Sequence, residues 1–213
     1  AYRFSLEGDY VSHSASVGFS RRLAEGAASV GGRVYAAFDE VGRSGDENFE
    51  RALNTYGARL SFTQALSPKT LLGGAYELQV RNGYQASPYR FVGIGPSSIC
   101  GQGAVLCLPE SHPNSRSRHA LVGRLRHALS DALALGSDAR FYVDNWSVMS
   151  LTAQLQLTYA FDADRILSGA YRMYFQGAAD FYERTYLDPA APPTFVTRDK
   201  ELGKMMSNRL AAT

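Results

Sequence analysis

Apolar and polar positions alternate along the chain, most clearly from Ser147 to Phe161. Met149, Leu151, Ala153, Leu155, Leu157, Tyr159 and Phe161 hold one parity, and Ser150, Thr152, Gln154, Gln156 and Thr158 hold the other. Successive side chains of an extended strand point to opposite faces, so this parity predicts a strand with one apolar and one polar face. A helix would spread those glutamines and threonines around its circumference. The same period of two recurs over residues 11–23, 28–38, 56–66, 72–80, 116–129, 133–143 and 167–181. In the last of these, Leu167, Tyr171, Met173, Phe175, Ala179 and Phe181 oppose Ser168, Arg172, Gln176 and Asp180. Few soluble sheets repeat the pattern so often.

The connections alternate as well. Short links rich in turn formers fall at Ala24-Glu25-Gly26, Ser67-Pro68-Lys69, Ser130-Asp131 and Asp162-Ala163-Asp164. Long polar connections run over 40–54, 84–115 and 184–197, with a tighter one at Asp144-Asn145-Trp146. Short turns at one end and long loops at the other predict an antiparallel up-and-down transmembrane β-barrel, in which Trp146 is an interface anchor. Most runs span about 11 to 15 residues, long enough to cross a bilayer at a tilt. A short strand through Tyr2, Phe4 and Leu6 and a weak one through Met205 to Leu210 bring the expected count to about ten, an even number that can close. The single expected domain is 1–213. Ala1-Tyr2-Arg3-Phe4 has neither the charged nor the apolar region of a signal peptide, so the chain reads as mature or truncated, with room for further strands at either end.

Composition narrows the class. Among 213 residues the formal net charge is +2, too small for a polyanion-binding surface, and no nucleic-acid partner is expected. A mean hydropathy of -0.22 and the lack of any long apolar run exclude transmembrane helices but not strands that alternate. The only lysines are Lys69, Lys200 and Lys204, and every other basic residue apart from the histidines is arginine, which suits planar, multi-donor pairing. Cys100 and Cys107 lie close together in a Gly/Pro/Ser-rich stretch and are expected to pair in an oxidising compartment, or to remain reduced otherwise.

If the apolar parity meets lipid, the polar parity lines the interior. Arg59, Arg81, Arg116, Arg118, Arg124, Arg126, Arg140 and Arg172 are then the candidate solute-binding residues, with Arg22 and Arg33 on the same face and Glu77, Asp138 and Asp180 as the main acids. Two readings stay open. One is a pore whose guanidinium groups favour anionic solutes, with the 84–115 loop covering its mouth. The other is a filled barrel whose arginines pair with acids across the strands.

No catalytic residue, metal site or cofactor is expected, and the chain is not read as an enzyme. Gly42-Arg43-Ser44-Gly45 lacks one residue of a nucleophile elbow, and Pro96 removes a donor from Gly93-Ile94-Gly95-Pro96 as a phosphate loop. His112, His119 and His127 share a stretch with no Cys or carboxylate spacing to complete a metal site, and they are read as interfacial. His13 beside Ser12 and Ser14 is the only sketch of a lipid hydrolase, and adjacent strand residues face opposite sides.

Several blocks carry a resemblance. They are Glu7-Gly8-Asp9-Tyr10-Val11-Ser12, Ser87-Pro88-Tyr89-Arg90-Phe91-Val92, Asn114-Ser115-Arg116-Ser117-Arg118-His119-Ala120-Leu121 with Arg124-Leu125-Arg126-His127 after it, and Ala178-Ala179-Asp180-Phe181-Tyr182. Over most of its length the chain resembles a porin-like bacterial outer-membrane β-barrel family catalogued only as a domain of unknown function. The resemblance implies a Gram-negative outer-membrane location, with the lipid bilayer and lipopolysaccharide as surroundings, and no established activity or cofactor. The chain departs from such barrels at its carboxyl end, which stops at Ala211-Ala212-Thr213 without an aromatic closing strand. The expected function is a porin-like pore or structural barrel with an arginine-rich lumen. The alternatives are a barrel subunit that docks a protein partner without transporting anything, and a soluble ligand-binding barrel.

Overall fold

A computed structural model describes residues 1–162 and 164–213; Ala163, in one of the expected short links, lies outside the described residues. The strands are β1 (Tyr2–Glu7), β2 (Tyr10–Leu23), β3 (Ala28–Val41), β4 (Arg51–Ser67), β5 (Thr70–Gly83), β6 (Phe91–Ile94), β7 (Leu106–Pro109), β8 (Ser115–Ala128), β9 (Leu133–Asp144), β10 (Met149–Ala160), β11 (Ile166–Gln176) and β12 (Met205–Ala212). Ten of them form one sheet in the order β1-β2-β3-β4-β5-β8-β9-β10-β11-β12, and β6 and β7 form a separate hairpin. Every pairing in the large sheet is antiparallel, so the protein is an all-β meander.

The pairing register keeps the two parities apart across the whole sheet. Leu151 stands opposite Phe141 and Phe175, while Thr152 stands opposite Arg140 and Tyr174. A slip of one residue in any strand would exchange the faces, which makes this agreement informative. The polar face is concave. Glu77 of β5 lies 2.6 Å from Arg59 of β4 and 3.9 Å from Arg140 of β9, although β8 separates β5 from β9. The apolar face is convex and bare, with Leu151, Leu155 and Leu157 at 41%, 55% and 50% exposure.

The sheet is open. β1 and β12 each pair on one side only, so the closed barrel expected from an even strand count is not formed within the described residues. The accessible surface is 13620 Å², against about 9,700 Å² for a compact soluble chain of this mass. A single curled layer that leaves one face uncovered accounts for the excess.

The packed core sits elsewhere, at the long-loop end. Val92, Ile94, Tyr186 and Val196 form one buried cluster, and Trp146, Val148, Ala179 and Leu202 form another. Four expectations are corrected here. The long connections are not simply polar: 84–114 and 177–204 fold into a cap, bridged at Ile94 to Tyr186 and Ser111 to Val196. The last long alternating run ends at Gln176, so Ala179 and Phe181 belong to the cap and exposed Asp180 is not an inward acid of a strand. Trp146 is not an interface anchor. It is 3% exposed, donates Nε1–H to the Ser115 carbonyl at 2.9 Å and carries the Arg116 guanidinium over its ring at 4.1 Å. The connection after β3 is also shorter than the sequence suggests, because β3 runs on to Val41 and β4 begins at Arg51.

Candidate functional site: an arginine-lined cavity under the cap

The concave face lines an open cavity of about 850 Å³, reaching from Arg33 on β3 to Tyr174 and Gln176 on β11, with His112, Trp146 and Leu202 at its cap end. Five of the eight candidate arginines line it: Arg59, Arg81, Arg116, Arg118 and Arg140. Arg33 joins them, against Glu77, Asp199 and Glu201, so the lining carries a net positive charge. The other three lie outside it. Arg124 and Arg126 sit nearer the short-turn end and share Asp138, at 3.3 and 2.8 Å. Arg172 faces Gln154 and Arg209 across β10 and β12 beside a smaller recess of about 220 Å³.

Local structure fixes these side chains unequally. Arg116 is held hardest: Asp144 accepts from its Nε at 2.8 Å and also from Tyr142 Oη at 2.7 Å and the amides of Trp146 and Val148 at 2.9 and 3.0 Å. That carboxylate ties the β9–β10 turn to β8. Tyr35 lies across Gly57, its direct partner on β4, and accepts from Gln79 Nε2 at 2.7 Å, two strands away. The Oε1 of Gln79 in turn accepts from Arg118 Nη1 at 2.9 Å. Arg33, Arg81 and Arg118 make no ion pair among the described residues. The interior is therefore a partly neutralised arginine surface, between the two readings the sequence left open.

Above it, Glu110 organises the cap, and nothing in the alternating pattern pointed to it. Its carboxylate accepts from Thr197 Oγ1 at 2.7 Å and from the amides of Arg198 and Ser87 at 3.0 and 3.1 Å, and it pairs with Arg90 at 3.2 Å. Burial opposes its charge, yet the nearby His112 ring, Thr197 and the two amides more than compensate and hold the carboxyl down at about 2. Asp39, which accepts from Ser12 Oγ at 2.5 Å, and Asp144 are further interior acids outside the alternating pattern's set of Glu77, Asp138 and Asp180.

The histidines separate by face. His13 and His119 are on the convex side, each joined through Nδ1 to a tyrosine hydroxyl, Tyr2 at 2.8 Å and Tyr76 at 2.7 Å. His127 meets Thr70 Oγ1 at 2.9 Å. His112 is not interfacial; it is buried in the cap against Trp146 and Phe181. Ser12 binds Asp39 rather than His13. Cys100, in the connection after β6, and Cys107, on β7, are joined in a disulfide.

The fold thus defines an all-β protein with an uncovered apolar face, a charged concave face and a loop cap. The family described as "Protein of unknown function (DUF3570)" matches residues 1–210, and the chain belongs to it. Among curated proteins none matches.

Proposed function

We propose that this chain forms the wall of a porin-like barrel in the bacterial outer membrane, whose arginine-lined interior admits small anionic solutes. The observation that carries the reading is the inversion of the usual burial pattern. Each long strand exposes large apolar side chains on the convex face, among them Phe19, Leu60, Tyr76, Leu121, Phe141 and Leu155, while Arg116, Asp144 and Ser150 are buried on the concave one. Water penalises the first arrangement and hydrocarbon favours it. A strand of about 12 residues, at roughly 3.4 Å per residue and tilted by about 40°, spans about 30 Å, matching a bilayer core. Aromatic pairs stand near both ends of this band, Phe38 with Tyr56 toward the loops and Tyr159 with Phe161 toward the turns.

In hydrocarbon the free edges of β1 and β12 would need partners, so the reading requires closure, either of β1 on β12 or through further strands. The unpaired Arg33, Arg81 and Arg118 favour anions over cations. Refolding into planar bilayers tests the proposal. Anion-selective current supports it; failure to insert, or cation-selective current, rejects it.

A further inference from the structure

Arginine faces arginine twice on the concave side. Arg33 stands directly across from Arg59, and Arg81 directly across from Arg116. Like charges opposed in this way destabilise a sheet. In each pair one partner is neutralised, Arg59 by Glu77 at 2.6 Å and Arg116 by Asp144 at 2.8 Å, while Arg33 and Arg81 make no ion pair among the described residues. Filling the interior by cross-strand pairing accounts for the first of each pair and leaves the second without a purpose.

Beside Arg81 stands another arginine without an ion pair. Arg118 is two residues from Arg116 on β8 and so is the diagonal neighbour of Arg81, about 7–8 Å away, a gap that two long side chains can close on one anion. The third group at this place is a hydroxyl. Arg118 can only donate, so Gln79 presents Oε1 to it and Nε2 to Tyr35 Oη; the tyrosine accepts that hydrogen and keeps its own to give. Tyr35, Gly57, Gln79 and Arg118 form one cross-strand row, and the bare Gly57 is what lets the Tyr35 ring lie toward Gln79. Arg81, Arg118 and Tyr35 all line the open cavity, and each is only partly buried.

We propose that Arg81, Arg118 and Tyr35 bind the phosphate group of a small phosphate monoester. Such a group offers three terminal oxygens, one for each of these donors, and two charges, one for each guanidinium. A carboxylate or a phosphodiester has a single charge and two such oxygens, so it leaves one of the donors unmet. Arg116, held on Asp144 and stacked on Trp146, forms a fixed wall that keeps the site shaped when empty, and the rest of the cavity has room for the organic part of the solute. The site lies on the concave face, away from the side assigned to lipid, so the phosphate belongs to a solute rather than to a lipid headgroup. The proposal names the class of anion for the interior described above and rests on that reading for access, but binding in detergent micelles requires no current across a membrane.

The test is calorimetric titration of the full chain in micelles at pH 8 with methyl phosphate, dimethyl phosphate and acetate. Methyl phosphate is a dianion there, and the other two probes are monoanions of similar size. We expect saturable binding of methyl phosphate at least about tenfold tighter than of either monoanion, the worth of one further charge-assisted hydrogen bond. Arg81→Met and Arg118→Met should each weaken methyl phosphate about tenfold or more, and Tyr35→Phe, which keeps the ring over Gly57, by about threefold to tenfold. Arg124→Met, away from the cavity, should leave it unchanged. Equal affinity for methyl and dimethyl phosphate, no saturable binding to the wild type, no effect of Tyr35→Phe, or an Arg124→Met effect as large as that of Arg118→Met would each overturn the proposal. Binding without current in bilayers would reject the pore and leave the site standing; anion-selective current without methyl phosphate binding would do the reverse.

Discussion

Tyr35 lies flat over Gly57, its cross-strand partner, and a Cβ at Gly57 would overlap the phenol ring. The absence of a side chain at one position therefore decides where an aromatic on the next strand rests, and through it where Gln79 and Arg118 point. Phe62 uses Gly74 in the same way on the convex side, where a glycine Cβ would come within 2.5 Å of the ring.

Gly57→Val should lower stability by about 1–3 kcal/mol, the usual cost of overpacking, and release Tyr35 from Gln79. Gly123→Val, where nothing lies within 4 Å of the added carbon, should be close to neutral. Thermal unfolding followed by loss of β-sheet circular dichroism separates the two; equal destabilisation would refute the account of the Tyr35 seat.

Asp144→Asn should cost about 3–5 kcal/mol, because it leaves the Arg116 guanidinium buried without its counter-charge. It should also shift Trp146 emission to longer wavelength, since both the Trp146 amide and the stacked Arg116 depend on that carboxylate. An unchanged spectrum would show that Trp146 is seated by other contacts.

How much of this was legible beforehand depends on what a period of two can carry. Leu155 and Gln156 could be assigned to opposite faces from parity alone, since sheet geometry leaves no third choice. The register of Arg59 with Glu77 and of Arg124 with Asp138 is a consequence of that parity once the turns are short. The cap was not legible, because its core is assembled from irregular segments whose apolar residues have no period: Val92, Tyr186 and Val196 meet only through tertiary folding. For the same reason the sequence pattern places Trp146 at a membrane interface and gives no sign of Glu110. The alternation overruns β11 at Ala179 and Phe181, which turn away from the sheet.

The cap should loosen in acid. Glu110 has a folded-state pKa lowered from 4.5 to about 2, so its contribution is complete above 4.5 and is lost as the pH falls through about 2. The contribution is on the order of 3 kcal/mol. Acid titration of Trp146 fluorescence should show a transition in that window, and Glu110→Gln should weaken the cap at neutral pH and remove the transition. A transition that survives in Glu110→Gln would assign it to another group.

Glu77→Gln should strengthen anion preference. Glu77 partly neutralises Arg59 at 2.6 Å and Arg140 at 3.9 Å, so its loss adds one positive charge to the lining. Reversal potentials in a salt gradient should move toward the chloride limit by a measurable amount. A shift toward cations would mean that these arginines do not face the conducting path.

The account stands or falls on which medium the convex face meets. Single cysteines at positions 154 to 157, labelled with a polarity-sensitive fluorophore in proteoliposomes, test it directly. The account predicts that labels at Leu155 and Leu157 are quenched by brominated lipid and labels at Gln154 and Gln156 by iodide in water, strictly by turns. Iodide quenching at Leu155 and Leu157, with lipid quenching at neither, would contradict it.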